Sequence, residues 1–158
     1  MQKISTCLWF DTQAEEAAGF YTSLFPNSSI GEVIRSGDAG PGKPGDVITV
    51  AFQIEGRDFL GLNGGPQFNF NESVSLVVNC DSQEEVDRYW EAFINAGGVE
   101  GQCGWLKDKF GLSWQIVPTV FTQLLGGPDT EGAARAMSAM LQMKKLDIRA
   151  LQNAYDGG

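Results

Sequence analysis

The sequence contains no histidine. A histidine-ligated metal site, a Ser-His-Asp triad and a Cys-His dyad are therefore excluded within this chain. Any chemistry that it performs must depend on carboxylates, lysine, tyrosine, cysteine, amide groups or a cofactor. This absence restricts the possible reactions more than any other feature of the composition.

Basic residues are also scarce, because the 158 residues include 20 acidic and only 11 basic side chains, a formal net charge of −9. Sequence-independent binding of nucleic acid needs a basic surface that neutralises phosphates, which this composition does not provide. No apolar run approaches the roughly 18 residues that a membrane helix needs, and the first residues, MQKIST, have no signal-peptide core. We therefore expect a cytoplasmic protein with neither nucleic acid nor a membrane as a partner.

Cysteine is present three times, as Cys7, Cys80 and Cys103. An odd number at wide spacing does not suggest a disulfide framework, so we expect reduced thiols that are mostly buried. A reactive thiolate needs a cationic neighbour or a helix N-terminus. Cys103, which lies near Lys107 and Lys109, comes closest to such a setting.

An internal repeat organises the chain. Residues 4–15, ISTCLWFDTQAE, align with residues 74–85, VSLVVNCDSQEE, at an offset of 70 residues. Each copy is an apolar run that ends at an aspartate and leads into acidic residues. With 42% hydrophobic and 11% aromatic residues the chain can fold, and the repeat predicts two copies of one supersecondary unit.

Both copies contain the pattern of a capping box. Thr12 stands three residues before Glu15, and Ser82 stands three residues before Glu85. In this pattern the hydroxyl accepts a hydrogen bond from an early helix N–H, and the acidic side chain reaches back. The sequence therefore predicts that a helix begins directly after each apolar run.

Strand patterns follow each predicted helix. Residues 46–55 alternate between apolar and polar, with Ile48, Val50, Phe52 and Ile54 on one side, and the turn signal at residues 55–58 predicts a hairpin with residues 59–63. Residues 105–107 and 112–117 flank a similar turn. Each half is thus predicted to read strand, helix, strand, strand, strand. The Gly- and Pro-rich residues 36–45 are either a hairpin connection or a mobile lid.

The C-terminal residues 121–154 have a different pattern. Gly126-Gly127-Pro128 breaks the chain, and residues 133–143 and 145–154 are predicted to form helices. Met137, Met140 and Met143 recur every three residues. This spacing predicts a packing face, because methionine fills gaps in cores well.

Short motifs occur along nearly the whole chain. They are Leu8–Asp11, Glu15–Ala18, Phe20-Tyr21, Leu24–Asn27, Leu62–Pro66, Cys103–Asp108, Gly111–Pro118 and Met143-x-Lys145-x-Asp147. Together they resemble the PhnB-like family, which is also named after demethylubiquinone methyltransferase.

The resemblance implies the vicinal-oxygen-chelate fold, which glyoxalase I and extradiol dioxygenases share. This is an α+β fold in which paired βαβββ modules form a cupped sheet around a small-molecule cavity. We expect one domain over residues 1–158, with module one at about 1–68, module two at about 69–118 and a helical extension at about 119–158. Members of the superfamily typically form homodimers, so a homodimer is expected.

The resemblance also points to four positions at which metal-binding relatives place their ligands. One ligand comes from the first and one from the last strand of each module. The repeat offset and the prolines after the last strands align these positions with Ser5, Asn63, Ser75 and Gln115. None of these side chains carries charge, and a divalent ion is normally held by imidazole, thiolate or carboxylate. We therefore predict no metal, no other cofactor and no metal-dependent glyoxalase or dioxygenase chemistry.

The methyltransferase name finds no motif in the sequence. A nucleotide-type methyl donor is commonly bound by a doubly wound sheet with a Gly-rich turn after its first strand. Here the first predicted strand runs into Asp11-Thr12-Gln13-Ala14, which contains no glycine.

Two functional hypotheses remain, an enzyme of this fold and a binding protein that sequesters a small molecule without reaction. In both, amide and hydroxyl groups of the protein would orient a polar group of the small molecule, while tryptophans pack against its apolar part. The predicted cavity residues are Ser5, Trp9, Asn63, Ser75, Trp105, Trp114 and Gln115. For an enzyme, Glu72, Tyr21 and Cys103 are the candidates for proton transfer.

Overall fold

The structure is a computed structural model that describes residues 2–158. Contacts along the chain separate two units, Met1–Phe70 and Asn71–Gly158. No helix in the described part of the chain has the length and apolar character needed to cross a membrane.

The first unit is one βαβββ module. Its elements are β1 (Thr6–Phe10), α1 (Ala14–Leu24), β2 (Ser29–Arg35), β3 (Val47–Ile54) and β4 (Arg57–Asn63). The strand order in the sheet is β1-β4-β3-β2. The first and last strands pair in parallel, whereas β2, β3 and β4 form antiparallel hairpins.

The second unit repeats this topology. Its elements are β5 (Ser75–Cys80), α2 (Gln83–Asn95), β6 (Val99–Glu100), β7 (Trp105–Lys107) and β8 (Ser113–Pro118). The order β5-β8-β7-β6 again places the first strand in parallel beside the last. The duplicated strand–helix–strand–strand–strand pattern and the α+β fold class are therefore confirmed.

Alternation along β3 determines which face of the first sheet is buried. Val50, Phe52 and Ile54 are buried, as the period-2 pattern predicts, and α1 packs on the sheet. Burying each such side chain contributes about 1.5–3 kcal/mol. The turn to β4 needs left-handed backbone at both central residues, Glu55 (φ 52°) and Gly56 (φ 75°), which is the geometry of a two-residue hairpin.

The core of the second unit is aromatic and contains one buried carboxylate. Trp114 on β8 lies 4.7 Å from Phe93 of α2 between ring centroids. The Asp108 carboxylate accepts hydrogen bonds from the Trp114 indole (2.9 Å) and from the backbone N–H groups of Phe110 and Leu112 (2.9 and 3.0 Å). Asp108 thereby holds the β7–β8 turn against the core.

The two helix starts differ from each other. Ser82 accepts from the Glu85 N–H at 3.2 Å, so the predicted serine cap of α2 is confirmed. The predicted Thr12 cap is wrong, because the cap position of α1 is Gln13 and no side chain there makes a cap hydrogen bond. Asn63 performs this role instead, since its Oδ1 accepts from the Ala14 N–H at 2.9 Å.

The Gly- and Pro-rich segment after β2 is a hairpin connection. Ser36 and Asp46 close it through a Ser36 N–H to Asp46 carbonyl bond of 2.7 Å, and the Gly45 N–H donates to the Ser36 carbonyl at 2.8 Å. The Ser36 hydroxyl donates to the Pro41 carbonyl at 2.5 Å. The segment therefore continues the β2–β3 hairpin beyond the strand ends.

Three further helices follow β8, namely α3 (Thr119–Leu125), α4 (Thr130–Met140) and α5 (Ile148–Asp156). α4 begins three residues earlier than predicted, because the Asp129 side chain caps it by accepting from the Gly132 N–H. Phe121, Leu124, Leu146 and Leu151 form a separate core cluster. Met140 and Met143 pack against this cluster as predicted, whereas Met137 is exposed.

The segment between α4 and α5 is tied to the second module. The Cys103 and Gly104 N–H groups donate to the carbonyls of Met143 and Lys144, each at 2.8 Å. Lys145 forms a 2.9 Å ion pair with Asp87 of α2. The C-terminal extension therefore packs on the module that precedes it.

Replacing Asn63 by alanine should destabilise the protein, because the substitution leaves the Ala14 N–H at the start of α1 without its acceptor. We expect the free energy of unfolding, measured by urea denaturation, to fall by about 1–2 kcal/mol. Thr12→Ala is the matched control and should change it by less than about 0.5 kcal/mol. Equal losses from the two variants would contradict the assignment of the cap to Asn63.

Candidate functional site

The second sheet has one face that packs on α2 and an opposite face, here called the open face. Strand alternation and register place Ser75, Trp105, Lys107, Ser113 and Gln115 on the open face. Trp105 pairs with Gln115, and Lys107 and Ser75 both pair with Ser113. Three of the seven predicted cavity residues, Ser75, Trp105 and Gln115, therefore share this face.

Ser75 and Gln115, two of the four predicted ligand positions, are brought into contact. Gln115 Nε2 donates to Ser75 Oγ at 2.9 Å. This bond satisfies one donor of a half-buried amide and fixes its orientation across the β5–β8 pair. The pair presents uncharged polar groups and no carboxylate.

Asn63 does not occupy the position that its spacing to Pro66 predicts. The register pairs Asn63 with Phe10 and Pro118 with Cys80. The 70-residue repeat relates Phe10 to Cys80, so Asn63 corresponds to Pro118. The predicted match of Asn63 with Gln115 is thus displaced by three residues, and an odd displacement moves a side chain to the other face. Asn63 points toward α1 and also donates to the Val47 carbonyl at 3.1 Å.

Trp114, another predicted cavity residue, lies in the helix-packed core. It is 2% exposed and its indole N–H is bonded to Asp108. The prediction that it lines a cavity is therefore wrong, since neighbours in a strand point to opposite faces and Gln115 occupies the open one. Its role is to pack the sheet against α2.

Ser5 and Trp9 belong to the first unit. Ser5 is exposed and precedes β1. The Trp9 indole N–H donates to the Gly65 carbonyl at 2.9 Å, and its ring meets Phe68 edge-on with centroids 5.0 Å apart. A Cβ on Gly64 would lie 2.3 Å from the Trp9 ring, so glycine is required there. Trp9 therefore anchors the segment that follows β4.

The four positions do not fit a divalent metal ion. Ser75 and Gln115 form a hydrogen bond with each other. The Asn63 side chain accepts a hydrogen bond from the first turn of α1, and Ser5 could supply only one hydroxyl oxygen. Neutral oxygens of this kind compensate a divalent charge poorly. Over residues 2–158 no group of three or more His, Cys, Asp or Glu side chains is placed to hold a metal.

A pocket of about 480 Å³ lies in the second unit. Its volume is in the range of small-molecule sites. Its lining includes Glu72, Val99, Glu100, Trp105, Lys107 and Ser113. Of the predicted cavity residues, Trp105 lines this pocket directly, and Ser75 and Gln115 lie beside it on the same face.

Ser113 is the unusual group in this lining. It is 1% exposed, and its Oγ has no hydrogen-bond partner among the described residues. Buried hydroxyls are nearly always bonded, so such an atom marks a position where a partner is expected. Sequence reasoning missed Ser113, although its place two residues before Gln115 in β8 predicts the same face.

Lys107 and Glu72 form an ion pair at the pocket. The hydrogen bond from Lys107 lowers the pKa of the Glu72 carboxyl below its ordinary value. Glu72 is therefore ionised at neutral pH and is a weak proton acceptor, which disfavours the proton-transfer role considered for it.

The other two proton-transfer candidates lie elsewhere. Tyr21 is fully buried in the core of the first unit, where its ring lies 6.3 Å from that of Phe52. Cys103 is half-buried in the loop before β7 and has left-handed backbone (φ 59°). Neither residue lines the pocket.

The family follows from comparison with known sequences. Residues 2–117 match the profile of the family described as 3-demethylubiquinone-9 3-methyltransferase. The chain belongs to this PhnB-like family. The match spans both βαβββ modules, and α3–α5 lie outside it.

Solved structures agree with this assignment. The PhnB protein of Bacillus cereus is 37% identical over 74% of this chain and 99% of its own, with a TM-score of 0.68. A protein from Pseudomonas aeruginosa is 19% identical over 75% of this chain and 98% of its own, with a TM-score of 0.60.

The fosfomycin resistance protein FosX from Listeria monocytogenes is 16% identical over 75% of this chain and 93% of its own, with a TM-score of 0.51. At such identities the last two neighbours show the shared glyoxalase-like fold alone. The search among curated proteins finds no match.

Cys80 should be inert in the folded protein. Burial raises the pKa of its thiol to about 12, and the nearby Glu85 and Asp81 carboxylates add to the increase. At pH 8 iodoacetamide should therefore modify the exposed Cys7 first and Cys80 only after denaturation, as peptide mass spectrometry would show. Rapid modification of Cys80 before unfolding would contradict its burial.

The raised pKa of the Cys80 thiol also makes the stability of the folded protein depend on pH. A free thiol has a pKa of about 8.5, so folding favours the protonated form of Cys80. This stabilisation is complete below that pH and is lost as the pH rises toward the folded-state value of about 12.

Proposed function

We propose that this PhnB-like protein binds a small molecule in the pocket on the open face of its second sheet, without a metal at the four fold-related positions. The observation that carries the proposal is the 480 Å³ pocket lined by the buried and unbonded Ser113 hydroxyl. An apolar cavity with few polar groups is typical of small-molecule sites. Trp105 and Val99 supply apolar wall.

Binding without reaction is supported better than catalysis by the groups around this pocket. Lys107 holds Glu72 as a carboxylate, and neither Tyr21 nor Cys103 lines the pocket. A general acid or base must lie within hydrogen-bond reach of the proton it moves. The pocket thus offers hydrogen bonding and apolar packing.

Methyl transfer is not part of the proposal, although the family is described by that activity. The turn after β1 consists of Asp11-Thr12-Gln13 and has no glycine that would let a backbone approach a nucleotide. The sheets also have the strand orders β1-β4-β3-β2 and β5-β8-β7-β6, which differ from the order in a doubly wound sheet.

The cytoplasmic location expected from the sequence stays a prediction.

The proposal predicts that small aromatic compounds stabilise the protein through Trp105. In a thermal-shift screen of such compounds, a binder should raise the melting temperature of the wild type. Trp105→Ala should remove most of that shift, because it deletes the largest apolar wall. Leu141→Ala truncates an exposed apolar side chain outside the pocket lining and should leave the shift unchanged.

Recovery of the compound decides between the two hypotheses. A binder that returns unchanged after prolonged incubation supports sequestration, whereas a new product would establish an enzyme. Equal shifts for the wild type and Trp105→Ala would place the ligand elsewhere and overturn the proposed site.

We also propose that a second copy of this chain packs against the edge strands. Ile4 before β1 and Val74 before β5 are 86% and 60% exposed, and they occupy equivalent positions of the repeat. Exposed apolar side chains at sheet edges favour association with another chain. Light scattering after size exclusion should give twice the mass of the chain, and Ile4→Lys with Val74→Lys should lower it. A wild-type mass of one chain would contradict the homodimer.

A further inference from the structure

We infer that the pocket takes an uncharged ligand with a flat aromatic body and one polar oxygen that hydrogen-bonds to Ser113. This inference rests on the proposed function and specifies the class of its ligand. It depends on three independent observations: the unbonded hydroxyl, the charges around it and the apolar wall.

The neighbours of Ser113 in the sheet leave it without a partner. On one side, Ser75 Oγ accepts from the Gln115 amide at 2.9 Å. On the other side, Lys107 is paired with Glu72. Because these flanking side chains bond to each other or to a third residue, neither of them satisfies the Ser113 hydroxyl, and an oxygen of the ligand would complete its hydrogen bonding. A hydroxyl both donates and accepts, so either an alcohol or a carbonyl oxygen would satisfy it.

The charges of the pocket disfavour an anion. Its lining contains two carboxylates, Glu72 and Glu100, and one ammonium, Lys107. Glu72 already neutralises Lys107, so an anionic ligand would have to displace it from that pair. The second carboxylate, Glu100, has no lysine or arginine partner in the lining and accepts a hydrogen bond from the Trp90 indole at 2.8 Å. An anion would therefore meet a net negative site.

A cation is attracted by the net negative lining but is disfavoured at the buried end of the pocket, where the side chains are uncharged. The most buried side chains of the lining are those of Ser113 and Leu106, each 1% exposed, and neither carries a charge. Burying an ammonium against a neutral partner costs free energy that a single hydrogen bond does not recover. An uncharged polar oxygen avoids this cost and provides the partner that the hydroxyl lacks.

The apolar side chains that line the pocket favour a ligand with a flat aromatic ring. Trp105 lies across from Gln115 on the open face, and Val99 pairs with Lys107 at the sheet edge. Val99 is exposed and Trp105 is half-buried, so their apolar surface is available to a ligand. A flat ring packs on an indole with more contact than a branched chain does.

Three probes with one ring system test the charge preference. These are 1-naphthol, 1-naphthoate and 1-naphthylmethylammonium, titrated calorimetrically at pH 7. The uncharged naphthol should bind at least about tenfold more tightly than either ion, because the naphthoate meets a net negative lining and the ammonium would lose its hydration beside the uncharged Ser113 hydroxyl. Tighter binding of the naphthoate or of the ammonium would overturn the inference while leaving a small-molecule site in place. Failure of all aromatic compounds to bind would instead overturn the proposed function.

Ser113→Ala tests the role of the hydroxyl. The variant should bind 1-naphthol about five- to tenfold more weakly and bind naphthalene, which has no oxygen, as the wild type does. Without ligand it should melt about 2–4 °C higher, because it removes a buried polar atom that has no partner. Unchanged affinity for 1-naphthol, or a lower melting temperature of the free protein, would contradict the inference.

Ser75→Ala is the matched control. Ser75 is the parallel partner of Ser113, but its hydroxyl is bonded to the Gln115 amide. Removing it leaves that amide without its acceptor, so the ligand-free protein should melt at a lower temperature. Opposite stability effects of the same chemical change at paired positions support the inference, and a stability gain in both variants would oppose it.

Discussion

The parallel pairing of the first and last strand in each unit determines the rest of this structure. It places β4 beside β1 and β8 beside β5, although a helix and two strands separate the paired strands along the chain. The same pairing brings Asn63 to the start of α1, where it supplies the acceptor that the local sequence does not. It also brings Gln115 to Ser75. The same kind of strand pairing therefore produces a helix cap in one unit and a hydrogen-bonded pair of polar side chains in the other.

The two units have the same topology, but the residues at the end of the last strand have different roles in each. In the first, the end of β4 is committed to structure, because Asn63 caps α1 and Trp9 packs over Gly64. In the second, the cap is the local Ser82, so no residue at the end of β8 is needed for it. The open face of the second sheet carries Ser113 and Trp105, which line the pocket. Duplication followed by this division is consistent with a ligand site in one copy.

In the proposed ligand site, the unbonded hydroxyl of Ser113 sets the stability of the free protein against ligand binding. A buried polar atom without a partner lowers the stability of the free protein. Such an atom is retained at a site that a ligand completes more readily than in a core that has no further role. The same reasoning separates Ser113 from Asp108, whose buried carboxylate accepts from three donors and holds the core together.

The sequence by itself determined the topology, the absence of histidine chemistry and the family, since these depend on residue type and on a repeat that is local to each module. It did not determine the face of Asn63, because aligning two strands by the prolines that follow them ignores the hydrogen-bond register. Trp114 was proposed as an apolar group of the same cavity as Gln115, although neighbouring residues of a strand point to opposite faces. Only the tertiary structure decided which hydroxyl lacks a partner and that Lys107 holds Glu72, because both depend on side chains that meet across strands or loops.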